Sequence, residues 1–248
     1  MERPTQGKRV TNRLLTSLRR RLADWRYPAG YRVAERGGAA WLLNHRHFID
    51  RHMLFEGDYE ADQRARLFAL ANTHRCAVFV DIGANFGLYS VHAARNGHFT
   101  AVHAFEPDAR NLACLRANLH LNGLLEQVSV HEAALSDHDG NVSFSAGGDR
   151  FTGQSRVTAE NSASSIEIQA RRLDGIFEAG PGYCLKIDVE GHEMAVLEGA
   201  RALLARDSWV VQVECLDAGD RVASYLQALG GEDAGRIGQD RYFVRPRA

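Results

Sequence analysis

The chain has 248 residues, enough for one α/β domain with a modest extension and a sizeable core. A hydrophobic content of 45%, a charged content of 25% and a formal net charge of -1 are ordinary for a globular protein and argue against a general nucleic-acid binder. No run approaches the roughly 18 apolar residues of a membrane span, and the amino end lacks the apolar region of a signal peptide. The four cysteines form no C-x-x-C pair, so we expect buried free thiols and a cytoplasmic location.

The first segment is a basic arm with an amphipathic pattern. Its cationic residues are Lys8, Arg9, Arg13, Arg19, Arg20, Arg21 and Arg26. The apolar residues at approximately helical spacing are Val10, Leu14, Leu15, Leu18, Leu22 and Trp25. Such a helix either lies on an anionic membrane surface or packs on its own domain or on a second subunit. We favour packing, with the arginines in solvent.

The segment from Tyr31 to His74 has a mixed, mostly helical pattern, with the clearest helix over Ala61 to Ala71. Its histidines lack the spacing of zinc sites, so no metal is predicted there. We therefore predict a helical N-terminal extension over residues 1–75, followed by a second domain over residues 76–248.

A glycine-rich turn follows the first buried strand. The apolar run Val78 to Val80 suits a strand that is covered on both faces, and Asp81 stands at its carboxyl end. Gly83, Asn85 and Gly87 follow in an Asp-x-Gly-x-Asn-x-Gly pattern, in which the glycines allow a sharp turn and the close approach of a ligand. Open α/β sheets bind their ligands at this position.

Four interpretations of this turn compete. A phosphate-binding loop requires Gly-Lys-Ser/Thr, and a dinucleotide site requires G-x-G-x-x-G; the chain has neither here. S-adenosylmethionine (SAM) carries an ammonium group that suits an acidic residue beside a glycine turn, and it has no pyrophosphate. A turn without any ligand is the fourth interpretation.

The second buried strand, Ala101 to Phe105, ends in Glu106, Pro107 and Asp108. An acidic side chain at this point can accept hydrogen bonds from both ribose hydroxyls of a nucleoside. Together with the glycine turn, it favours a nucleoside ligand without a pyrophosphate.

Further strands are predicted at Val128–Val130, Tyr183–Ile187, Val210–Val213 and Tyr242–Val244. Strands that alternate with helices predict an α/β fold with a doubly wound sheet. The stretch Ala146 to Ala163 is rich in small polar residues, and it is either a mobile lid or an idle surface insertion.

The fourth strand delivers a second cluster of polar side chains, Asp188, Glu190 and His192, within five residues of one another. The fifth strand ends in Glu214. Because carboxyl ends of parallel strands meet at one edge of a sheet, we expect these side chains to face the glycine turn.

With these motifs in place, the sequence resembles the class I SAM-dependent methyltransferases. The stretch LKIDVEGHE, Leu185 to Glu193, narrows the resemblance to the FkbM family, and the similarity extends from about Phe55 to Glu214. It implies a doubly wound, mostly parallel seven-stranded sheet with an antiparallel final strand, and SAM as the cofactor. Its cofactor-binding residues would be Asp81, Gly83, Asn85, Gly87, Glu106 and Pro107, with Leu135 and Asp137 against the adenine. In similar families the preceding segment, here near Asp58 to Glu60, often covers the SAM site.

The resemblance also implies O-methylation of a hydroxyl on a small-molecule or glycan acceptor, such as a sugar, glycolipid or natural product, and no nucleic-acid substrate. An alcohol acceptor needs a base, so Asp188 would orient it and Glu190 or His192 would remove its proton. Alternatively, Glu190 is a structural cap and His192 is simply exposed. In a catechol-type enzyme Asp188 and Glu214 would hold Mg²⁺, but Cys215 stands where those enzymes have asparagine. We therefore predict no metal. A non-catalytic SAM-fold module for assembly is the remaining alternative.

Overall fold

The computed structural model describes residues 25–145, 156–157, 165–177, 180, 182–214 and 219–246. The basic arm up to residue 24, most of the predicted loop over 146–163, and Cys215 lie outside these ranges. Within the described ranges no helix is long and apolar enough to span a membrane. The chain divides into two compact units, Met1–Tyr59 and Glu60–Ala248.

The first unit contains a β-hairpin where helix was expected. Strands β1 (Tyr31–Arg36) and β2 (Ala39–Asn44) pair antiparallel and precede helix α1 (Phe48–Phe55). The two-residue turn is Gly37-Gly38, and its φ angles of 55° and 77° suit a hairpin turn that requires positive φ at both positions. The prediction of a mostly helical segment is therefore wrong for these residues.

The second unit alternates strands and helices along the chain. Its elements are α2 (Ala61–Thr73), β3 (Val78–Ile82), α3 (Leu88–Asn96), β4 (Ala101–Phe105), α4 (Ala109–Leu121), β5 (Val128–His131), β6 (Ala134–Leu135), β7 (Gly140–Ser145), β8 (Arg156–Val157), β9 (Ile166–Arg171), β10 (Tyr183–Ile187), α5 (Glu193–Gly199), α6 (Arg201–Arg206), β11 (Trp209–Glu214), α7 (Gly219–Ala228), β12 (Glu232–Ile237) and β13 (Asp240–Arg245). A short 3₁₀ turn covers Leu173–Gly175.

The main sheet has seven strands in the order β12-β13-β11-β10-β3-β4-β5. The five strands from β11 to β5 are parallel, whereas β13 runs antiparallel to β11 and β12 antiparallel to β13. The predicted doubly wound sheet with an antiparallel final strand is confirmed. A second sheet, in the order β6-β9-β7-β8, contains the described part of the predicted loop as β8.

Helices α5 to α7 pack their apolar side chains against one face of the main sheet. Val80, Leu185 and Val211 lie on neighbouring strands and pack in one core with Leu197 of α5 and Leu226 of α7. Continuous burial of β3 and β10 on both faces explains why these strands are uniformly apolar apart from their functional residues.

The opposite face of the sheet carries helix α2 and the polar residues of the site. The Phe68 ring of α2 meets the Phe79 ring of β3 edge-on, with centroids 5.7 Å apart. Further along this face the register aligns Asp81, Lys186 and Gln212 on the adjacent strands β3, β10 and β11. The sheet therefore places three polar side chains side by side, toward the carboxyl ends of its central strands.

Two helix boundaries are set by single residues. Helix α3 ends at Asn96, and Gly97 follows with a left-handed φ of 74°. The Asp108 side chain caps α4 by accepting hydrogen bonds from the backbone N–H groups of Arg110 and Asn111. Both boundaries follow from residues with specific backbone roles.

Candidate functional site

The candidate site lies where β3, β4, β10 and β11 end, at the edge where an open α/β sheet binds its ligand. The glycine turn after β3 is held against the end of β4, because the N–H groups of Gly83 and Ala84 both donate to the Phe105 carbonyl, each at 3.0 Å. Asn85 and Gly87 have φ angles of 52° and 92°, so the turn depends on left-handed backbone at several positions.

Gly83 brings the glycine turn into direct contact with the turn after β10. A Cβ atom on Gly83 would lie 1.9 Å from the Asp188 backbone oxygen, which leaves no room for a side chain. The Asp188 N–H also donates to the Ile82 carbonyl at 3.1 Å. The two turns that the sequence singled out therefore adjoin one another.

Glu106 is buried at the end of β4 and braces the glycine turn. Its carboxylate accepts hydrogen bonds from the N–H groups of Asn85 and Asp108, both at 2.8 Å. Burial raises the pKa of Glu106 to about 7, against the opposing effect of these hydrogen bonds. Pro107 follows, half-buried, before the start of α4.

The Asp81 side chain is 1% exposed, and only one of its carboxylate oxygens has a hydrogen-bond partner among the described residues. Ser90 donates to its Oδ2 at 2.6 Å, while Oδ1 is buried without a hydrogen-bond partner among the described residues. Burial raises the pKa of Asp81, and the nearby Lys186 ammonium opposes this. A buried acceptor oxygen at this position suits a cationic donor group from a ligand.

Lys186 is a site residue that the sequence interpretation missed. It occupies the middle of the β10 stretch, and its Nζ lies 3.0 Å from Asp188 Oδ2. The same ammonium lies over the Tyr89 ring of α3, 5.1 Å from the centroid. A lysine inside an otherwise apolar buried strand is the signal that could have identified it.

Three carboxylates gather at the mouth of the site. Asp188, Glu190 and Glu214 each offer an oxygen, and these oxygens all lie within 4.8 Å of one another. Burial, together with the charges of Asp188 and Glu190 and a hydrogen bond to Asp188, raises the pKa of Glu214 to about 8. Three oxygen ligands at this spacing could hold a hard divalent cation such as Mg²⁺.

His192 lies against the turn after β6 and does not join the carboxylates. Its Nε2 is 3.0 Å from Ser136 Oγ, and the same hydroxyl donates to Asp137 at 3.1 Å. Burial lowers the pKa of His192, although the charge of Asp137 opposes this. Leu135, 2% exposed, packs in the main core, and Asp137 is exposed at the surface.

These features fit SAM as a ligand. Gly83 keeps the floor of the turn clear of a side chain, Asp81 presents an unsatisfied buried oxygen, and Glu106 provides an acid at the end of the next strand. The turn contains no lysine or second glycine pattern that would cradle a pyrophosphate.

Several known proteins are similar to this chain in sequence or in structure. The chain is 25% identical over 189 residues to the hexuronic acid methyltransferase AglP of Haloferax volcanii, which covers 75% of this chain and 77% of that protein. A solved structure described as precorrin 8w decarboxylase, from Methanobacterium thermoautotrophicum, aligns with a TM-score of 0.46 at 15% identity over 77% of this chain and 92% of that one. A precorrin-6y C5,15-methyltransferase from Geobacter metallireducens aligns with a TM-score of 0.44 at 15% identity over 74% and 86%.

Residues 81–235, more than half of the chain, match the family described as the methyltransferase FkbM domain. This match spans the glycine turn, Glu106, the LKIDVEGHE stretch and Glu214, which are the elements assembled at the sheet edge. The resemblance predicted from the sequence is confirmed: the chain belongs to the FkbM methyltransferase family, and SAM is its methyl donor.

Proposed function

We propose that the protein methylates an alcohol oxygen of a sugar, a glycolipid or a comparable natural product. The contact between Gly83 and Asp188 carries this proposal, because it sets the donor turn directly beside the carboxylates that would meet an acceptor. Bound SAM supplies a methyl group on a positively charged sulfur, and the acceptor must attack it in line.

Different residues of this chain would bind SAM and orient the acceptor. Glu106 would accept hydrogen bonds from the ribose hydroxyls, and the free oxygen of Asp81 would accept one from the ammonium group. Asp188 would orient the acceptor hydroxyl at the mouth of β10. As the hydroxyl oxygen forms its bond to the methyl carbon, its proton would pass to a carboxylate, and the product would leave as a methyl ether with S-adenosylhomocysteine.

Between the two bases predicted from the sequence, we favour Glu190. It lies in the carboxylate cluster with Asp188, whereas His192 is bound to Ser136 beside the turn assigned to the adenine. Asp188→Asn and Glu190→Gln should each lower turnover by roughly 10² to 10⁴, the usual contribution of a general base, with a smaller effect on SAM affinity.

Uronic acids are the first acceptors to test, because the Haloferax volcanii relative is named as a hexuronic acid methyltransferase. The protein would be incubated with methyl-labelled SAM and a panel of uronic acids, neutral sugars and an RNA control. Label that survives mild alkali is a methyl ether on a hydroxyl, the expected result. Label released by alkali is a methyl ester on the carboxylate, which needs no base and would remove Glu190 from its role.

A metal-assisted reaction is the second candidate, and the three-carboxylate cluster favours it. Here Asp188, Glu190 and Glu214 would hold a divalent cation that lowers the pKa of the acceptor hydroxyl. Loss of activity in EDTA with recovery in Mg²⁺ would establish this mechanism, and unchanged activity in EDTA would support the metal-free one. A cytoplasmic location stays a prediction.

A further inference from the structure

Lys186 is an unusual residue for its position. The chain has 30 lysines and arginines, of which only Lys8 and Lys186 are lysines. Lys186 lies in the central strand β10 between Asp81 and Gln212, and its side chain is 7% exposed. Burying an ammonium group is unfavourable unless it is paired, so we expect the neighbours of Lys186 to stabilise its positive charge.

The ammonium is surrounded by acidic partners. Asp188 Oδ2 is 3.0 Å away, and Asp81 and Glu60 lie close enough to influence its charge. Burial alone would lower the pKa of Lys186, but these three carboxylates outweigh it and raise the pKa. Lys186 is therefore charged throughout the physiological range.

The surroundings of Lys186 are fixed by the core. Tyr89, whose ring lies beneath the ammonium, donates from its hydroxyl to Glu60 at 3.0 Å and accepts from Gln212 Nε2 at 2.9 Å. Tyr89 and Gln212 are almost completely buried, at 3% and 1% exposure. The Lys186 ammonium therefore lies against buried, hydrogen-bonded side chains from α3 and β11.

Asp188, by contrast, is about one-third exposed and lies beside the carboxyl groups of Glu190 and Glu214. Glu190 lies within 4.8 Å of it, and repulsion between the two carboxylates would push Asp188 toward solvent. Glu214, whose pKa is raised to about 8, is mostly protonated at neutral pH and adds a hydrogen bond to Asp188 instead of a like charge. Among the residues that the structure describes, the cation that contacts Asp188 and opposes this movement is Lys186.

We propose that Lys186 is a positioning residue for methyl transfer: its ammonium holds one Asp188 oxygen on the rigid core, so that the rest of the carboxylate faces the acceptor. This rests on the proposed role of Asp188 in orienting a hydroxyl. Lysine suits the task better than arginine, because a point charge fits between Tyr89 and Asp188 without a planar fork.

Crystal structures with S-adenosylhomocysteine test the geometry without any acceptor. In Lys186→Met, which keeps the volume and loses the charge, the Asp188 carboxylate should rotate toward solvent while the glycine turn stays in place. An unmoved Asp188 would overturn the proposal. This result holds whether or not the protein methylates a sugar, so failure of the proposed function is seen separately, as a wild-type protein that transfers no label.

A second measurement keeps Lys186 and follows its ammonium group directly. Lys8→Arg leaves Lys186 as the only lysine, so ¹⁵N-lysine labelling gives one side-chain ammonium signal in NMR. Adding Asp188→Asn should shift this signal and speed its proton exchange, whereas an unchanged signal would contradict the contact.

With an active acceptor, a double-mutant cycle tests the functional part. Lys186→Met should lower kcat roughly 10- to 100-fold, as expected for a misplaced reacting group, with KM for the acceptor and Kd for SAM within about threefold. If Lys186 acts through Asp188, adding Lys186→Met to Asp188→Asn should lower kcat little further. Additive losses, or a loss of SAM affinity in proportion to kcat, would disprove the positioning role.

Discussion

Glu106 combines two tasks, because the carboxylate that would bind the ribose also accepts hydrogen bonds from the glycine turn. Removing it in Glu106→Ala should weaken SAM binding by roughly 1.5 to 3 kcal/mol, the range for hydrogen bonds to a charged group. Isothermal calorimetry measures this loss directly.

The burial of Glu106 also predicts a pH dependence. Because its pKa is raised to about 7, the carboxyl is mostly protonated at pH 6 and mostly ionised at pH 8. Ribose hydroxyls donate to the ionised form, so SAM affinity should rise with pH through about 7, by roughly tenfold between pH 6 and 8. Glu106→Gln, which cannot titrate, should flatten this rise; an equal rise in both proteins would assign it to another group.

Gly83 should be intolerant of any side chain. Its φ of 78° is unfavourable for alanine by about 1 to 2 kcal/mol, and the collision with the Asp188 oxygen adds about 1 to 3 kcal/mol of overpacking. Gly83→Ala should therefore lower the free energy of unfolding in urea by about 2 to 5 kcal/mol and weaken SAM binding.

Gly97 provides a matched control for this substitution. Its φ of 74° is nearly the same, but a Cβ there would meet nothing within 4 Å. Gly97→Ala should lose only the backbone contribution, about 1 to 2 kcal/mol, and leave SAM affinity unchanged. Equal losses in the two variants would show that the contact with Asp188 has no energetic effect.

At the residue scale, the sequence indicates which side chains reach the sheet edge but not how each one turns. Asp188, at the end of β10, is placed by the strand itself. Beyond it Glu190 and Gly191 adopt left-handed φ angles of 52° and 96°, which redirect the chain before α5. The direction of His192 depends on these angles, and for this reason the spacing alone could not show that it contacts Ser136.

At the scale of elements, the buried parallel strands were predictable because β3 and β10 are covered on both faces and therefore read as short apolar runs. The hairpin was not recognised, since Ala39 to Leu43 is apolar without a clear period. Gly37-Gly38 was the available signal for a two-residue turn. Strand β12 was missed because it is mostly exposed and polar.

Helix α4 should stabilise the glycine turn through one buried side chain. Asn118 is 0% exposed, and its Nδ2 donates to the Phe86 carbonyl at 2.8 Å. Asn118→Ala leaves that buried carbonyl without this donor, so the free energy of unfolding should fall by about 1 to 3 kcal/mol. SAM affinity, measured by calorimetry, should fall as well because the turn loosens.

The control is on the same helix end. Asn122, partly exposed, donates to the Asn118 backbone carbonyl and does not reach the turn through that bond. Asn122→Ala should reduce helix stability slightly and leave SAM affinity within error. A loss of SAM affinity in both variants would indicate a general weakening of α4 and not a specific brace.

At the scale of the whole molecule, the predicted and the observed divisions of the chain differ in where they place helix α2. The sequence placed it in an extension over residues 1–75, whereas the compact units divide between Tyr59 and Glu60. Its contact between Phe68 and Phe79 is tertiary and leaves no local sequence signal. The hydrogen bond between Glu60, at the start of α2, and Tyr89 is likewise a tertiary contact without a local sequence signal.

One face of the hairpin in the first unit exposes large apolar side chains. Tyr31 and Val33 are 40% and 57% exposed, and the hairpin register sets Val33 beside Leu42 on the same side. The opposite face buries Trp41 and Leu43. Exposed apolar side chains on this face favour packing of an apolar helix, from this chain or from a second copy, and the basic arm supplies such a pattern in its sequence.

The arm should therefore affect association and not cofactor binding. We expect a chain beginning at Trp25 to keep its SAM affinity within about twofold, because Glu106, Asp81 and Gly83 all lie in the second unit. The cut spares Pro28 and Gly30, whose carbonyls accept hydrogen bonds from Arg46 and from the His45 N–H at 2.8 and 3.2 Å. Calorimetry and light scattering would compare the full and shortened chains, with a change in oligomeric state expected on shortening. Sedimentation with vesicles that contain anionic lipid tests the alternative, in which the arm binds a membrane surface. Salt-sensitive binding by the full chain but not by the shortened chain would contradict packing of the arm on protein, since loss of its cationic residues then explains the difference.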